Sequence, residues 1–529
     1  WAFISTLQAH WHPLTMLSHM LDGQLFGLQP AGHHAGSLFL HLANTGLLYV
    51  LIRRLFSGGR PTAFFVAAFF AIHPLHVESV AWVSSRKDLL SGFFFLLTLL
   101  AYERFNRSKE LRRRWYLITL GLTLAGLLSK AMLVTIPGVL LLLDIWPLER
   151  LKSAGGARDL VWRTLKDLRL WLEKLPFIGA GLAISALAIF MRRERLNSPE
   201  RDLLSLGERW LRAVDGSGMY LAKTVWPFDL TVAYKYFPAA PVFRATIFLV
   251  LLAAISLAAI AARKRCPAFF VGWFWYLGML APVAGLMQTG PQELAYRYTY
   301  LPLIGISLII AWGLPVLYRW ILPAQAQYFK PWPAILAISL LLGWWTFTCR
   351  SYVGVWRNEE TLFRHALRIN PSNWLALNNL GYELLRRGQS EPALKYLNQA
   401  FALSPNKINI KSNLAQALSR EFSDSESLER AITLFSEVSA SDPNREQDRI
   451  NLGITLAKAG RNKESLQVFA EVVRRDPEQP KGHYNYAQVL LAAGRPHEAR
   501  KELESALRLD PGYQLARDFL DRLENLRQP

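Results

Sequence analysis

The stretch His73–Leu90 reads HPLHVESVAWVSSRKDLL and lies between two strongly apolar runs, PTAFFVAAFFAI at 61–72 and LLSGFFFLLTLLAY at 89–102. It places two histidines, a glutamate, an Arg-Lys pair and an aspartate at the end of a predicted membrane span. Ionisable side chains near lipid are costly and usually face a protein interior or a water-filled cavity. The stretch is therefore a candidate functional site. The alternative is an interfacial loop whose tryptophan and two cations only anchor the neighbouring helices.

Apolar residues are unevenly distributed along the 529-residue chain, which is 52% hydrophobic and contains 18 Trp. Long runs of Leu, Phe, Ala and Ile fill the part up to about residue 350, whereas the remainder is polar and has no such run. The average is too apolar for an ordinary soluble protein of this size. The sequence predicts an all-α chain, with a polytopic membrane helix bundle at 1–350 and a soluble helical domain at 351–529.

The formal net charge of +20 does not indicate nucleic-acid binding. The basic residues of the first domain form short clusters between apolar runs, as the positive-inside rule expects. The two cysteines, Cys266 and Cys349, have no metal-type spacing and imply no disulfide framework. The chain begins at Trp1, and we expect it to be N-terminally truncated, with its first span lost.

Ten apolar runs predict about ten membrane spans in the first domain. The runs lie at about 37–52, 62–80, 88–103, 115–129, 131–146, 175–191, 245–262, 268–287, 300–318 and 332–349. Several are shorter than the ~20 residues of a full span, so tilted or broken helices are expected. Residues 203–228 are amphipathic and are expected to lie along the membrane interface.

Charge in the loops predicts the orientation in the membrane. Basic clusters that fall on one side, predicted to be cytoplasmic, are Arg53–Arg60, Arg104–Arg114, Arg150–Lys174, Arg263–Arg265 and Arg319 with Lys330. Arg192, Arg193 and Arg195 break this alternation, but long loops obey the rule poorly. With ten spans, the soluble domain of an inner-membrane protein would emerge on the periplasmic side.

The soluble domain contains an internal repeat of about 34 residues, which is typical of tetratricopeptide repeats. Its markers are Ile369-Asn370-Pro371, Leu403-Ser404-Pro405, Ser441-Asp442-Pro443, Arg475-Asp476-Pro477 and Leu509-Asp510-Pro511, with a four-residue insertion before Pro443. Small residues let the two helices of a hairpin approach, and the proline ends the second helix. Asparagines recur on the first helix of each hairpin, at Asn378, Asn379, Asn413, Asn451 and Asn485. They are candidates to hydrogen-bond the backbone of an extended peptide; the alternative is that they are solvated or structural.

Several motifs stand in a fixed order ahead of the repeats. They are WHPLTMLSHMLD at Trp11–Asp22, HPLHVESVAWVSSRKDLL, KAMLVTIPGVLLLLDIWPL at Lys130–Leu148, YLAKTVWP at Tyr220–Pro227, RYTYLPLIG at Arg297–Gly305 and VWRNEETLFRHAL at Val355–Leu367. With these motifs the chain resembles, over essentially its whole length, the transmembrane and tetratricopeptide-repeat (TMTC-type) family and its bacterial homologues. Eukaryotic members are similar to GT-C-fold protein O-mannosyltransferases that use a lipid-phosphate-linked sugar.

The chain departs from that family at three points. The family's paired acidic residues precede the WHPLT-like motif and are absent from this sequence, which starts at Trp1. Ala131 stands where the family commonly has Pro, and Tyr296 stands where it often has Asp before the Arg. The last departure weakens an acidic contribution to the site.

The chemistry that the resemblance implies needs two kinds of group. A carboxylate must orient or deprotonate the acceptor hydroxyl, and cations must stabilise the departing phosphate. The catalytic candidates are Glu78 and Asp88, with Asp22 weaker. The candidate phosphate ligands are Arg86, Lys87, Lys130 and Arg297, for which interfacial anchoring or structural ion pairs are the alternatives. Further candidates to line the site are His12, His73, His76 and Tyr298.

Histidine spacing gives no assigned metal ligand. His73 and His76 would ligate a metal beside Glu78 if their segment were helical, but Pro74 disfavours a regular helix beyond its first turn. His33, His34 and His41 are interpreted as packed residues, and Asp144 as structural. No cofactor is assigned from the sequence, and a divalent metal is kept as an alternative. The sequence has no nucleotide-binding glycine loop, which favours a lipid-linked sugar donor over a nucleotide sugar.

The sequence therefore predicts a GT-C-type membrane glycosyltransferase. It would move a sugar, with mannose as the first candidate, from a polyprenyl-phosphate donor to an extracytoplasmic, protein acceptor. The predicted partners are the lipid bilayer, the lipid-linked sugar and a protein or peptide bound by the repeats. The alternatives are a non-catalytic membrane scaffold that organises envelope assembly and, third, a transporter.

Overall fold

The computed structural model describes residues 11–56, 59–150, 167–191, 205–232, 242–284, 294–321, 332–422 and 424–525. Within these ranges the chain is all-α, as predicted, and contains no strand. It divides into two compact units, Trp1–Arg357 and Asn358–Pro529, which have separate hydrophobic cores. The division falls a few residues after position 350 because the last apolar helix of the first unit continues to Val355.

The described part of the first unit is built of α-helices and short 3₁₀ turns. The helices are α1 Pro13–Phe26, α2 Pro30–Leu55, α3 Arg60–Ile72, α4 Val77–Ala81, α5 Arg86–Arg107, α6 Arg112–Ser129, α7 Ile136–Ile145, α8 Leu168–Phe190, α9 Leu206–Val225, α10 Val242–Ala262, α11 Pro267–Leu280, α12 Pro302–Ile321 and α13 Trp332–Val355. Helix α5 packs against α6 and α2, and α11 packs against α10 and α12. The core between them is rich in Leu, Phe, Trp and Tyr.

Breaks in the helices fall where the sequence has proline or polar residues. Helix α3 ends at Ile72, a 3₁₀ turn spans Pro74–His76, and α4 follows at an angle of 49° to α3. Pro74 has no N–H to donate and starts the turn. A second 3₁₀ turn, Ala131–Thr135, precedes α7. The predicted broken helices are therefore confirmed, and Pro74 does prevent a regular helix through His73 and His76.

Among the described residues, fewer helices have the length and composition of a membrane span than the ten spans predicted. Three described helices, α2, α8 and α10, are long and apolar enough to cross a membrane, and the bent pair α3–α4 is a fourth candidate. Shorter apolar helices cover Ala131–Ile145, Pro267–Val283 and Pro302–Pro315. Each predicted run contains a helix, but ten spans are not confirmed. The arginines at 192, 193 and 195 and Lys330 lie outside the described residues.

Glycines allow α11 and α12 to cross closely. A Cβ atom at Gly272 would overlap the carbonyl oxygen of Gly305 and lie 2.7 Å from Ile309, and a Cβ at Gly305 would overlap the Gly272 carbonyl. Small residues at such contacts let helix backbones approach in a membrane protein. The crossing matters for the site because α12 follows directly on the RYTY segment.

We expect Gly272→Ala to destabilise the first unit by about 1–3 kcal/mol, because neither backbone can yield without separating the helices. Thermal unfolding in detergent, followed by tryptophan fluorescence, measures the effect. Gly278→Ala on the same helix is the matched control, since a Cβ there meets nothing within 4 Å. Equal melting temperatures for the two variants would contradict the close crossing.

The second unit is a stack of helical hairpins. Its helices are α14 Glu359–Ile369, α15 Trp374–Arg386, α16 Ser390–Leu403, α17 Ile408–Glu421, α18 Ser425–Ser441, α19 Glu446–Lys458, α20 Asn462–Arg475, α21 Pro480–Ala492, α22 Pro496–Leu509 and α23 Gln514–Asn525. Three hairpins turn at a glycine with φ of +74°, namely Gly388, Gly460 and Gly494. This left-handed conformation favours glycine after a helix. The repeat architecture predicted from the sequence is confirmed.

The four-residue insertion lies in the second hairpin. Helix α17 has 14 residues against 13 for α15, and α18 has 17 against 14 for α16. The added residues therefore lengthen both helices. The insertion extends the hairpin instead of forming a separate loop.

A histidine–carboxylate pair joins the two helices of the last hairpin. His483 Nδ1 donates a hydrogen bond to Glu502 Oε2 at 2.6 Å, and its Nε2 donates to the Pro477 carbonyl at 3.0 Å. The hydrogen bond to Glu502 raises the pKa of His483 above its usual value near 6.5. The stabilisation is fully present below the pKa of the unfolded chain and is lost as pH rises through the raised folded value.

We expect amide protection in α21 to exceed that of the variant His483→Gln at about pH 6, and the excess to fall as the pH rises through the raised pKa of His483. Hydrogen exchange of the whole protein, with each pH compared against the variant, measures this difference. His497→Gln in α22 is the control for a general histidine effect. An excess that is constant with pH would contradict the role of the charged imidazole.

Candidate active site

The polar stretch His73–Leu90 folds so that its charged side chains enter the first unit. Helix α5 begins at Arg86, and both Arg86 and Asp88 are buried in its first turn. A carboxylate in the first turn is favoured by the helix dipole. Burial of charged groups is costly unless they are paired, so the partners of these residues define the site.

Glu78 pairs with Arg297. Glu78 is fully buried on α4, and its Oε1 forms an ion pair with Arg297 Nη1 from the 3₁₀ turn Tyr296–Thr299. Its Oε2 accepts a hydrogen bond from the Tyr296 N–H at 2.8 Å. Both carboxylate oxygens of Glu78 are thus engaged. Tyr296, the departure from the family pattern, contributes its backbone to the site where the sequence suggested only a loss.

Asp88 pairs with Lys130. Lys130 lies in extended backbone between α6 and the following 3₁₀ turn, and its Nζ contacts Asp88 Oδ1. Asp88 Oδ2 is buried and has no hydrogen-bond partner among the described residues. One oxygen of this carboxylate therefore neutralises the lysine, and the other remains available to accept a hydrogen bond.

Asp22 pairs with Arg86. Arg86 Nη1 contacts Asp22 Oδ2 of α1, and its Nη2 donates to the His33 carbonyl of α2 at 2.5 Å. The guanidinium passes against Gly36, where a Cβ atom would lie 3.0 Å from Nη2. Glycine at position 36 thus leaves room for the pair.

Aromatic rings connect the pairs. The Lys130 ammonium lies 5.3 Å from the centre of the Tyr298 ring, and the Arg297 guanidinium lies 4.9 Å from the same ring and 4.8 Å from the Trp82 ring. Such cation–π contacts strengthen when they are desolvated. With Arg86 and Asp88 on one turn of α5, the three pairs form a continuous cluster of three carboxylates and three cations. We call it the charge cluster, consisting of Asp22, Glu78, Arg86, Asp88, Lys130 and Arg297.

Histidines beside the charge cluster make packing contacts. His73 Nε2 donates to the Thr224 carbonyl at 3.1 Å, and its Nδ1 accepts from the Leu75 N–H at 3.3 Å. His76 Nδ1 donates to the Phe70 carbonyl at 2.6 Å. These partners orient the rings towards neighbouring backbone and give no set of metal ligands with Glu78. Their role in lining a substrate site stays a prediction.

The remaining predicted residues lie near the cluster or in the second unit. His12 precedes α1, where Thr15 donates to the Ser129 carbonyl at 3.0 Å and so holds α1 beside Lys130. Lys87 is half-buried on α5.

The sequence gives no signal for a hydrogen-bonded group around the Tyr300 hydroxyl. Asn44 donates to this hydroxyl at 3.0 Å, and the hydroxyl donates to His41 Nδ1 at 2.9 Å. No spacing signal joins these positions, which are more than 250 residues apart.

A second buried ionic network lies at the other end of α5. Asp144 is fully buried and accepts hydrogen bonds from Tyr102 at 2.7 Å, Lys174 at 2.8 Å and Arg150 at 3.2 Å. Glu173 extends the network through Arg150 at 2.8 Å. The network joins α5, α7 and α8, which is in keeping with a structural Asp144.

The repeat asparagines are largely bonded to each other or to nearby backbone. Asn413 donates to Asn378 at 3.0 Å across two hairpins, and Asn378 donates to Asn379 at 3.3 Å. Asn485 donates to the Lys481 carbonyl at 2.9 Å, and Asn451 accepts from Gln447 at 3.2 Å. Similar bonds, such as Ser419 to Thr455 at 2.8 Å, tie successive first helices together. Peptide binding by these asparagines stays a prediction.

Fold and sequence together define a polytopic helical membrane protein that carries a tetratricopeptide-repeat solenoid. The tetratricopeptide repeat family matches residues 362–395 and 450–514. The first unit and the repeats together resemble protein O-mannosyl-transferase Tmtc3 of Drosophila melanogaster, with 25% identity over 77% of this chain and 50% of that protein. Human TMTC1 is 26% identical over 78% of this chain and 50% of that protein. Mouse TMTC4 is 25% identical over 74% of this chain and 58% of that protein.

The chain is therefore similar to the TMTC-type proteins across both of its units. It spans about half the length of the curated relatives it matches. Among solved structures, YrrB, a TPR protein with an unusual peptide-binding site, is 20% identical to this chain. The match covers 30% of this chain and 79% of YrrB, with a TM-score of 0.27. The TPR protein TTC0263 of Thermus thermophilus is 23% identical over 31% of this chain and 89% of its own, with a TM-score of 0.28.

Proposed function

We propose that the protein is a membrane glycosyltransferase that moves a sugar from a polyprenyl-phosphate donor to a hydroxyl of an extracytoplasmic protein. The proposal is carried by one observation: a buried carboxylate oxygen, Asp88 Oδ2, has no hydrogen-bond partner among the described residues and lies in a cluster with three cations. The names of the relatives, protein O-mannosyl-transferases, support the same chemistry.

The reaction assigns different roles to the acids. The acceptor oxygen forms a bond to the anomeric carbon, the bond from that carbon to the phosphate oxygen breaks, and the acceptor proton must leave. Asp88 Oδ2 is suited to accept that proton, because no described residue donates a hydrogen bond to it, while Lys130 holds the other oxygen and fixes the carboxylate in place. Glu78 is less suited, since both of its oxygens are engaged. Its proposed role is to hold Arg297.

The cations would stabilise the departing polyprenyl phosphate. Arg86 and Arg297 offer planar donors that match phosphate oxygens, whereas Lys130 offers a point charge. In the described structure each cation is paired with a carboxylate, which lowers the cost of burying it. A phosphate would enter by taking over part of these charge contacts.

The test is transfer of radiolabelled sugar from polyprenyl-phosphate donors in membranes that contain the protein. The comparison is with Glu78→Gln and Arg297→Ala, each checked for folding by monodispersity in detergent. Label on a protein acceptor that falls in the folded variants supports the proposal. An absence of label with every donor tested, mannose included, overturns it.

A non-catalytic scaffold is the second candidate, and complete pairing of the three cations favours it. Buried ion pairs also serve only to fix helix positions. A scaffold predicts that folded Glu78, Asp88 and Arg297 variants keep the cellular phenotype. It also predicts that the repeats still capture their partners when label transfer is absent.

A further inference from the structure

We infer that His19, Asp22 and His33 form a binding site for a divalent first-row transition-metal ion, such as zinc. One ligand atom of each residue lies within 4.8 Å of those of the other two. His19 and Asp22 are three residues apart and share a face of α1, and His33 lies in the first turn of α2. The site would therefore join the two helices across their connecting turn. Two imidazoles and a carboxylate are a ligand set typical of zinc and related ions with open positions.

The hydrogen bond of His33 identifies which nitrogen faces the site. His33 Nε2 lies 3.0 Å from the carbonyl oxygen of Gly27, which only accepts, so Nε2 carries the proton. Metal-binding histidines commonly donate their other N–H to a backbone carbonyl, which fixes the ring and its tautomer. Gly27, with φ of +59°, is in a left-handed conformation that brings this carbonyl into place.

The remaining nitrogen faces a carboxylate oxygen. His33 Nδ1 lies 3.5 Å from Asp22 Oδ2, beyond a normal hydrogen bond. With Nε2 as the donor to Gly27, Nδ1 of a neutral ring and Asp22 Oδ2 are both electron-pair donors that can ligate one cation between them. Two ligands at ~2.1 Å from one ion in tetrahedral geometry are about 3.4 Å apart, which matches the observed separation.

Asp22 supplies a buried carboxylate to the site. It is 7% exposed, and Oδ2 accepts no hydrogen bond of normal geometry from the described residues. Its contacts are the charge contacts to Arg86 and His33. Arg86 would then act as an outer partner that orients the ligating carboxylate. An ion here would lie beside a candidate phosphate-binding arginine, and a phosphate oxygen would suit its open position; that last step rests on the proposed function.

The experiment measures metal binding without any sugar donor, so its result is separate from that of the transferase assay. The protein is purified in detergent without a polyhistidine tag, stripped with chelator and titrated with Co²⁺, whose visible absorption reports ligation. Zinc content after loading is measured by mass spectrometry. The variants are His19→Ala, the size-conserving His19→Gln, and His33→Ala. The matched control is His34→Ala, because His34 is the exposed neighbour of His33.

We expect one equivalent of metal in the protein and in His34→Ala, and at least tenfold weaker binding in the other variants. Each variant must elute as a monodisperse peak, and His19→Gln covers the case in which a variant to alanine fails to fold. Absence of bound metal in the parent protein would overturn the inference. Equal binding in the His19 and His34 variants would do the same, by showing that the ion binds elsewhere.

Discussion

Asp88→Asn is expected to lower the rate of sugar transfer by about 10²–10⁴-fold, the usual contribution of a general base. Asparagine keeps the shape of the side chain but cannot accept the acceptor's proton. Lys130 would lose its charge partner, so a moderate loss of stability is also expected. The transfer assay on detergent-purified protein, normalised to folded material, measures the activity.

Comparison with neighbouring acids makes this result specific. Glu78→Gln removes a charge from an equally buried pair but leaves Asp88 intact, so its effect on the chemical step should be smaller. A double variant, Asp88→Asn with Lys130→Met, should recover stability without recovering activity, because the unpaired lysine is gone. Asp88→Asn protein that transfers sugar at the parent rate would exclude this residue as the base.

Asp144→Ala is expected to reduce the free energy of unfolding by about 3–5 kcal/mol, the largest stability effect we predict. The substitution removes the acceptor for Tyr102, Arg150 and Lys174, and it leaves the fully buried Lys174 ammonium without its carboxylate. The protein is unfolded in detergent micelles by titration with a denaturing detergent, and tryptophan fluorescence reports the folded fraction.

The controls separate the network from a general effect of losing an acid. Glu110→Ala removes an exposed carboxylate of the same unit and should change stability by less than about 0.5 kcal/mol. A double variant, Asp144→Leu with Lys174→Met, should be more stable than Asp144→Ala, since it buries no unpaired charge. Unfolding of Asp144→Ala at the parent midpoint would mean that water or another group satisfies the network.

The sequence was most informative where the signal is periodic. The prolines that end every second helix, such as Pro371 and Pro405, gave the repeat and its register because proline cannot continue a helix. The apolar runs gave the positions of the membrane-domain helices. They did not give the number of spans, because hydropathy does not distinguish a full span from a shorter buried helix such as α11.

The sequence predicted which residues belong to the candidate site, but not how they pair. Sequence reasoning singled out Glu78, Asp88, Arg86, Lys130 and Arg297 as acids and phosphate ligands, and the structure brings these five into one cluster. It did not predict that each cation has a carboxylate partner. The difference between the engaged Glu78 and the available Asp88 oxygen depends on the Tyr296 backbone, more than 200 residues from Glu78.

The sequence by itself determined the helical class of this protein, the division into an apolar and a repeat-containing part, and the charged residues that stand beside apolar runs. These properties follow from local chemistry: side-chain hydrophobicity, proline geometry and the cost of charge near lipid. Only the tertiary structure decided which charges pair, which carboxylate oxygen stays available, and that His19, Asp22 and His33 meet. The ion pairs depend on distances between segments far apart in the chain, and no local pattern encodes such distances. The meeting of His33 with His19 and Asp22 depends on the turn that reverses the chain between α1 and α2.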